Sequence, residues 1–309
     1  MSQSTTDRPL FSGIYTALIT PFVDGAPDLD GVARLVERQI AAGVDGVVPC
    51  GTTGESATLS ADEQARVIEQ AVKTADGRCQ IIAGVGSNNT ATAVELAQRA
   101  KALGADGGLT ITPYYNKPGQ EGMYRHFAAV QEANPGFPLV LYNVPGRTNV
   151  SLSVETCLRL AELPDVVAIK EATADLAFNG ELIAALGDRM AVLSGEDSVA
   201  FPLWCIGGHG VIAVASNAVP ERLVAMWKAF QSGDWLEARR LHLALMPLFK
   251  ANFCETNPTP IKALVSWMVD GISPEGRLPL VPFTEAGADR LRGVCRGLEI
   301  PLPFDLAAR

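Results

Sequence analysis

The sequence predicts an α/β chain built as a (β/α)8, or TIM, barrel with a small C-terminal helical extension, and three observations predict it. Eight short apolar runs recur at fairly even spacing between positions 13 and 216. Each run is continuously apolar rather than alternating, which suits parallel strands covered on both faces. Segments with apolar residues at helical spacing lie between the runs, and the order strand, helix, strand, helix spells a parallel sheet. Eight such units make a closed barrel of the usual ~250 residues. The rival is an open doubly wound sheet, which generally has fewer strands.

In chain order the strand runs are "GIYTALITPF" (13–22), "GVVPCG" (46–51), "QIIAGVG" (80–86) and "GGLTITP" (107–113), then "LVLYNVP" (139–145), "VVAIKEA" (166–172), "MAVLSGE" (190–196) and "GVIAVAS" (210–216). Gly, Pro or polar residues bound each of them, as expected for strands. The helix after the second run opens with a capping box, Ser60 with Glu63, carries Ala65, Ile68, Ala71 and Val72 at helical spacing, and closes at Gly77. "TATAVELAQRAKALG" repeats the form and ends at Gly104. Past Asp234 three helical runs follow with no strand between them: "DWLEARRLHLALMPLFKANF", "TPIKALVSWMV" and "EAGADRLRGVCRGL". The domain reading is a loose tail over 1–8, a barrel over 9–232 and a helical domain over 233–309.

Composition narrows the function classes. The chain has 309 residues, 48% of them hydrophobic, enough for a large core. A net charge of −9 argues against a nucleic-acid surface. No apolar run has the ~18 residues of a membrane span, and the polar start "MSQSTTDRPLFSG" lacks a signal-peptide core, so the expectation is a cytoplasmic protein with no membrane partner. Six scattered cysteines without a C-x-x-C motif are expected to be reduced, and three distant histidines make a zinc site unpromising. "GVGSNN" lacks the third glycine of a dinucleotide fingerprint, since position 89 is Asn.

Barrels of this kind carry their chemistry at the C-terminal strand ends. There the sequence places "GTTGES", "TPYYNKP", "YNVPGRT", "IKEAT", "LSGED" and "VASNAVP". Lys170, closing an apolar strand, raises the sharpest question, because lysine is almost never fully buried unless paired or put to use. Walled by apolar side chains it loses hydration, which favours the free amine, and an amine attacks a ketone to form an imine. The bland reading pairs it with Glu171, but successive strand residues face opposite ways. Tyr142, one strand earlier, could shuttle the protons that imine formation needs, or be an ordinary core tyrosine. The "GTTGE" turn offers the hydroxyls of Thr52 and Thr53 and several backbone N–H groups for a carboxylate, or is simply a tight loop.

Taken in order with "GGHGVIAVASN" and "ETNPTPIKA", these motifs resemble the 4-hydroxy-tetrahydrodipicolinate synthases, formerly called dihydrodipicolinate synthases. The resemblance runs from Gly13 to the last helices. That family sits among the class I pyruvate-handling lyases, with N-acetylneuraminate lyase and the ketodeoxy-sugar-acid aldolases. The resemblance implies that Lys170 forms a Schiff base with pyruvate, and that Tyr142, Thr52 and Tyr115 relay protons, Tyr115 reaching in from a neighbouring subunit. It implies that Thr53 and the backbone around Ile212 hold pyruvate, that Gly195 lines the pocket, and that Arg147 binds the carboxylate of L-aspartate-4-semialdehyde. It further implies a homotetramer built as a dimer of dimers, and no metal or organic cofactor, the imine itself being the electron sink. Arg147 favours this reaction over a sugar-acid aldolase or dehydratase, whose enzymes usually lack arginine there. Many members are inhibited by L-lysine, and sensitive ones tend to carry Glu at the position of Thr92 and His at those of Ala61 and Gln64. This chain has none of the three, so weak or absent inhibition is expected.

Overall fold

The computed structural model of the chain describes residues 9–305. The expected tail over 1–8 lies outside the described residues. The barrel strands are β1 (Gly13–Ala17), β2 (Gly46–Val48), β3 (Gln80–Gly84), β4 (Gly107–Ile111), β5 (Leu139–Asn143), β6 (Val166–Glu171), β7 (Ala191–Ser194) and β8 (Gly210–Ala213). They form one closed sheet in sequence order, β8 returning beside β1, so the open-sheet alternative is excluded. Nearly every strand residue is buried, as continuous apolar runs covered on both faces require.

The helices that cover the strands are α1 (Leu29–Ala42), α2 (Ala61–Ala75), α3 (Thr90–Ala102), α4 (Gln120–Glu132), the short α5 (Pro145–Thr148), α6 (Val154–Leu160), α7 (Leu176–Leu186), α8 (Ala200–Cys205) and α9 (Pro220–Gln231). The capping box of α2 forms as expected: Ser60 Oγ accepts from Glu63 N at 3.2 Å and Glu63 Oε2 accepts from Ser60 N at 2.8 Å. Its C-cap is Asp76 in the left-handed region, one residue before the expected Gly77.

One run departs from expectation. The stretch 13–22 is not one strand: β1 stops at Ala17, and Phe22–Val23 pairs antiparallel with Ala26–Pro27. Asp24 (φ 50°) and Gly25 (φ 75°) supply the two positive-φ positions of a two-residue hairpin. An Asp-Gly pair is the usual sequence signal for such a turn.

From Trp235 the elements among the described residues are all helices: α10 (Trp235–Ala251), α11 (Thr259–Met268) and α12 (Glu285–Gly297). The proposed boundary at 233 falls in the turn after α9, where Gly233 takes a φ of 82°. The described chain divides into two units. One holds Val85–Ala102 and Asp106–Ile212; the other holds Ile14–Gly84 and the residues from Ala213 onward, so the C-terminal helices group with β1 to β3.

Candidate active site

In the unit of Val85–Ala102 and Asp106–Ile212, parallel pairing sets Tyr142 of β5 directly beside Lys170 of β6. Neighbours in register point to the same face. Lys170 is 5% exposed, and its Nζ lies 4.3 Å from the centroid of the Tyr142 ring. Among the described residues no carboxylate and no hydrogen-bond partner reaches that Nζ. Glu171 turns the other way, as alternation requires. Its carboxylate accepts from Asn143 Nδ2 at 2.7 Å and from Thr173 N at 2.6 Å. Burial pushes the Glu171 carboxyl above the usual range, and those hydrogen bonds pull against it. The ion pair of Lys170 with Glu171 is thereby excluded.

Gly195 lies against the same lysine. Its N–H donates to Glu171 O at 2.6 Å, and a Cβ built on it would stand 3.1 Å from Lys170 Cε and 2.7 Å from Ala172 Cβ. A hydrogen at this position leaves room for the lysine stem. Ile212 is fully buried on β8. Arg147 sits on α5, exposed, and among the described residues no acid pairs with it. Tyr115 is 89% exposed and held at φ 71°, a left-handed conformation that non-glycine residues rarely take. Lys170, Tyr142 and Gly195 are thus brought together, while Arg147 stands on α5 after β5 and Tyr115 on the loop after β4.

The other unit carries the "GTTGE" turn. Its approach is set by Cys50, which adopts φ 56° so that its carbonyl lies where a side chain of residue 84 would be; a Cβ on Gly84 would fall 1.9 Å from Cys50 O. Thr52 is half-buried and its carbonyl accepts from Glu55 N at 3.1 Å. Thr53 is buried, and its Oγ1 accepts from Asn257 Nδ2 at 3.0 Å. Glu55, itself at φ 56°, forms a fully buried ion pair with Lys262 at 2.5 Å and also accepts from Arg277 N at 3.2 Å. Lys262 Nζ and the Arg277 guanidinium both face the Phe22 ring, at 4.3 and 4.7 Å from its centroid. Burial lowers the Lys262 ammonium and Glu55 opposes that. Arg277 also pairs with Glu63, and that hydrogen bond holds the Glu63 carboxyl down at about 2.

Sequence reasoning missed Asn257, Lys262, Glu55 and the Asn143–Glu171 pair. A signal for one of them was present: Lys262 sits in the apolar run "TPIKALV", as Lys170 does in "VVAIKEA". The others show only through partners distant in sequence.

Known proteins resemble this chain over most of its length. The profile of the dihydrodipicolinate synthetase family matches residues 10–296. A 4-hydroxy-tetrahydrodipicolinate synthase of Pelobacter propionicus is 49% identical over 288 residues, covering 93% of this chain and 98% of that protein. The enzyme of the same name from Syntrophobacter fumaroxidans is 50% identical over 283 residues, covering 92% and 97%. The crystal structure of dihydrodipicolinate synthase from Aquifex aeolicus superposes with a TM-score of 0.92 at 43% identity, covering 94% of this chain and 99% of that one.

Proposed function

The chain belongs to the dihydrodipicolinate synthetase family, and from that premise we propose that it catalyses the 4-hydroxy-tetrahydrodipicolinate synthase reaction, joining pyruvate to L-aspartate-4-semialdehyde through an imine on Lys170. The observation that carries this is a buried lysine amine with no carboxylate partner among the described residues, lying over the face of Tyr142 and beside a glycine that leaves it room.

In the proposed sequence the Lys170 amine attacks C2 of pyruvate, and the carbinolamine loses water to give the imine. Loss of a C3 proton gives an enamine, and C3 then attacks the aldehyde carbon of the second substrate. That substrate's own amine displaces the Lys170 nitrogen, closing the ring and freeing the enzyme. Tyr142, with Thr52 and Tyr115, carries the protons; Thr53 and the backbone at Ile212 hold the pyruvate carboxylate. Arg147, exposed and without an acid among the described residues, suits the carboxylate of the aldehyde through its fixed fork of donors. The same arginine is what sets this reading apart from a sugar-acid aldolase or dehydratase or an N-acetylneuraminate lyase. A nearly fully exposed tyrosine in a left-handed conformation supports a homotetramer, as a dimer of dimers, in which Tyr115 completes a neighbour's relay. Among the described residues no helix is long and apolar enough to cross a membrane, and we place the reaction in the cytoplasm.

Borohydride added with pyruvate is expected to trap one adduct, located on Lys170 by peptide mass spectrometry. Turnover is expected with pyruvate plus aspartate-4-semialdehyde and not with N-acetylneuraminate or 2-keto-3-deoxygluconate. Arg147→Ala should raise the aldehyde KM about ten- to a hundredfold, the loss of roughly 1.5–3 kcal/mol from a charged hydrogen bond, and leave trapping intact. An adduct on another lysine, or preferred cleavage of a sugar acid, overturns the reading.

A further inference from the structure

The lysine strand ends in a second charged residue that the proposed chemistry does not use. Glu171 is buried, yet it makes no ion pair among the described residues. Both of its carboxylate oxygens accept from N–H donors: Oε1 from Thr173 N at 2.6 Å and Oε2 from Asn143 Nδ2 at 2.7 Å. Asn143 is itself fully used. Its Oδ1 accepts from Leu152 N at 3.1 Å, and its Nδ2 reaches Ser151 Oγ at 3.2 Å as well as the carboxylate. Residues 151 and 152 close the segment that begins at Val144 and carries Arg147. The rest of that segment is tied mostly to itself and to α4: Thr148 Oγ1 donates to Val150 O at 3.0 Å, and Gln120 Nε2 donates to Ser151 O at 2.8 Å. The contact of Asn143 with Glu171 therefore adds a side-chain link from the foot of the Arg147 segment to the strand that bears Lys170, beside the backbone pairing of β5 with β6.

We infer that Glu171 and Asn143 form a positioning pair, which holds the Arg147 segment in register with the lysine strand and so sets the site for the acidic aldehyde. The inference rests on the reaction proposed above. The donor pattern makes the pair directional. Glu171 only accepts from Asn143, and Asn143 cannot rotate its amide without giving up Leu152 N. Asn143→Asp places two carboxylates against each other in a buried site. Glu171→Gln places an NH2 group against an NH2 group, or against Thr173 N. Together the two changes exchange the roles. The introduced amide donates to the introduced carboxylate and still accepts from Thr173 N. That carboxylate in turn accepts from Leu152 N, from the amide and from the Ser151 hydroxyl. All of the hydrogen bonds return, the one between the two side chains and the one to Ser151 with donor and acceptor reversed.

The test measures N143D, E171Q and the double variant for aldehyde KM, pyruvate KM, borohydride trapping on Lys170 and thermal midpoint. Each single variant is expected to raise the aldehyde KM about tenfold, equivalent to about 1.4 kcal/mol, with trapping by pyruvate retained. The double variant is expected to return the KM to within a few-fold of the wild type, a rescue that loss of packing alone would not produce. If a single variant fails to fold, recovery of folded protein with near-normal aldehyde KM in the double supports the pair. A double variant that is as impaired as the two singles combined, or singles that weaken pyruvate and aldehyde equally, overturns it. Wild-type protein that forms the imine but does not condense the aldehyde would sink the proposed reaction instead; the pair would then stand or fall on whether the double restores the thermal midpoint that the singles lose.

Discussion

Replacing Gly195 by alanine should slow imine formation by displacing Lys170, and the size of the effect can be worked from the contacts. A methyl at that position would meet Ala172 Cβ at 2.7 Å, and Glu171 O and Lys170 Cε each at 3.1 Å. Carbon atoms prefer about 3.5–4.0 Å, so the first contact is short by roughly 1 Å and the lysine contact by about half that. Retreat of the backbone is opposed by the 2.6 Å hydrogen bond from Gly195 N to Glu171 O. Gly195 is not among the residues with positive φ, so any effect is steric rather than conformational. Overpacking of a tight site costs about 1–3 kcal/mol, and a misplacement of about 1 Å can cost as much as a hundredfold in rate. The Lys170 end is the flexible partner and gives way first, so a loss of about tenfold in the trapping rate is expected, with a fall in thermal midpoint of about 2–4 °C per kcal/mol. The assay is single-turnover borohydride trapping with pyruvate, run beside a thermal melt. Gly180→Ala is the control, because nothing lies within 4 Å of a Cβ there. Wild-type trapping and melting in Gly195→Ala would refute the claim that this glycine makes room for the lysine.

Three further outcomes follow from other parts of the molecule. Lys262→Met leaves the Glu55 carboxylate buried without its partner at 2.5 Å and should cost about 3–5 kcal/mol of stability, read as a lowered urea midpoint and partly restored by adding Glu55→Gln; an unchanged midpoint would show the pair to be idle. Burial holds His126 neutral, pulling its pKa to about 4, so the folded chain refuses a proton that the unfolded chain takes up below its usual value of about 6.5. The stability this provides is complete above that value and is lost as pH falls toward 4, by at most about 3 kcal/mol; His126→Gln should flatten that stretch of the stability profile, and an equally steep profile would count against it. L-Lysine should inhibit weakly or not at all, because Thr92 and Ala61 supply no charge and the Gln64 amide is already spent on Ser56 O at 3.0 Å; half-inhibition well below ~1 mM, an affinity worth about 4 kcal/mol, would contradict this.

The barrel was legible because its cause is local and repeated. Continuously apolar runs demand cover on both faces, and helical periodicity between them supplies it. Lys170 stood out for the same reason, as one cation at the end of such a run, and alternation along a strand was enough to separate it from Glu171. The hairpin at Asp24-Gly25 was equally local, but the apolar run through positions 13–22 concealed it. What the sequence could not determine is which distant groups meet. Nothing near Glu55 announces Lys262, 207 positions away; nothing near Thr53 announces Asn257; and the sharing of the Asn143 amide among Glu171, Ser151 and Leu152 depends on where residues 151 and 152 return after the Arg147 turn. Composition and periodicity report which face of an element is apolar. The partner of a buried polar group is chosen by chain closure across the whole fold, and the requirement that each such group be satisfied takes effect only once the tertiary structure has brought those segments together.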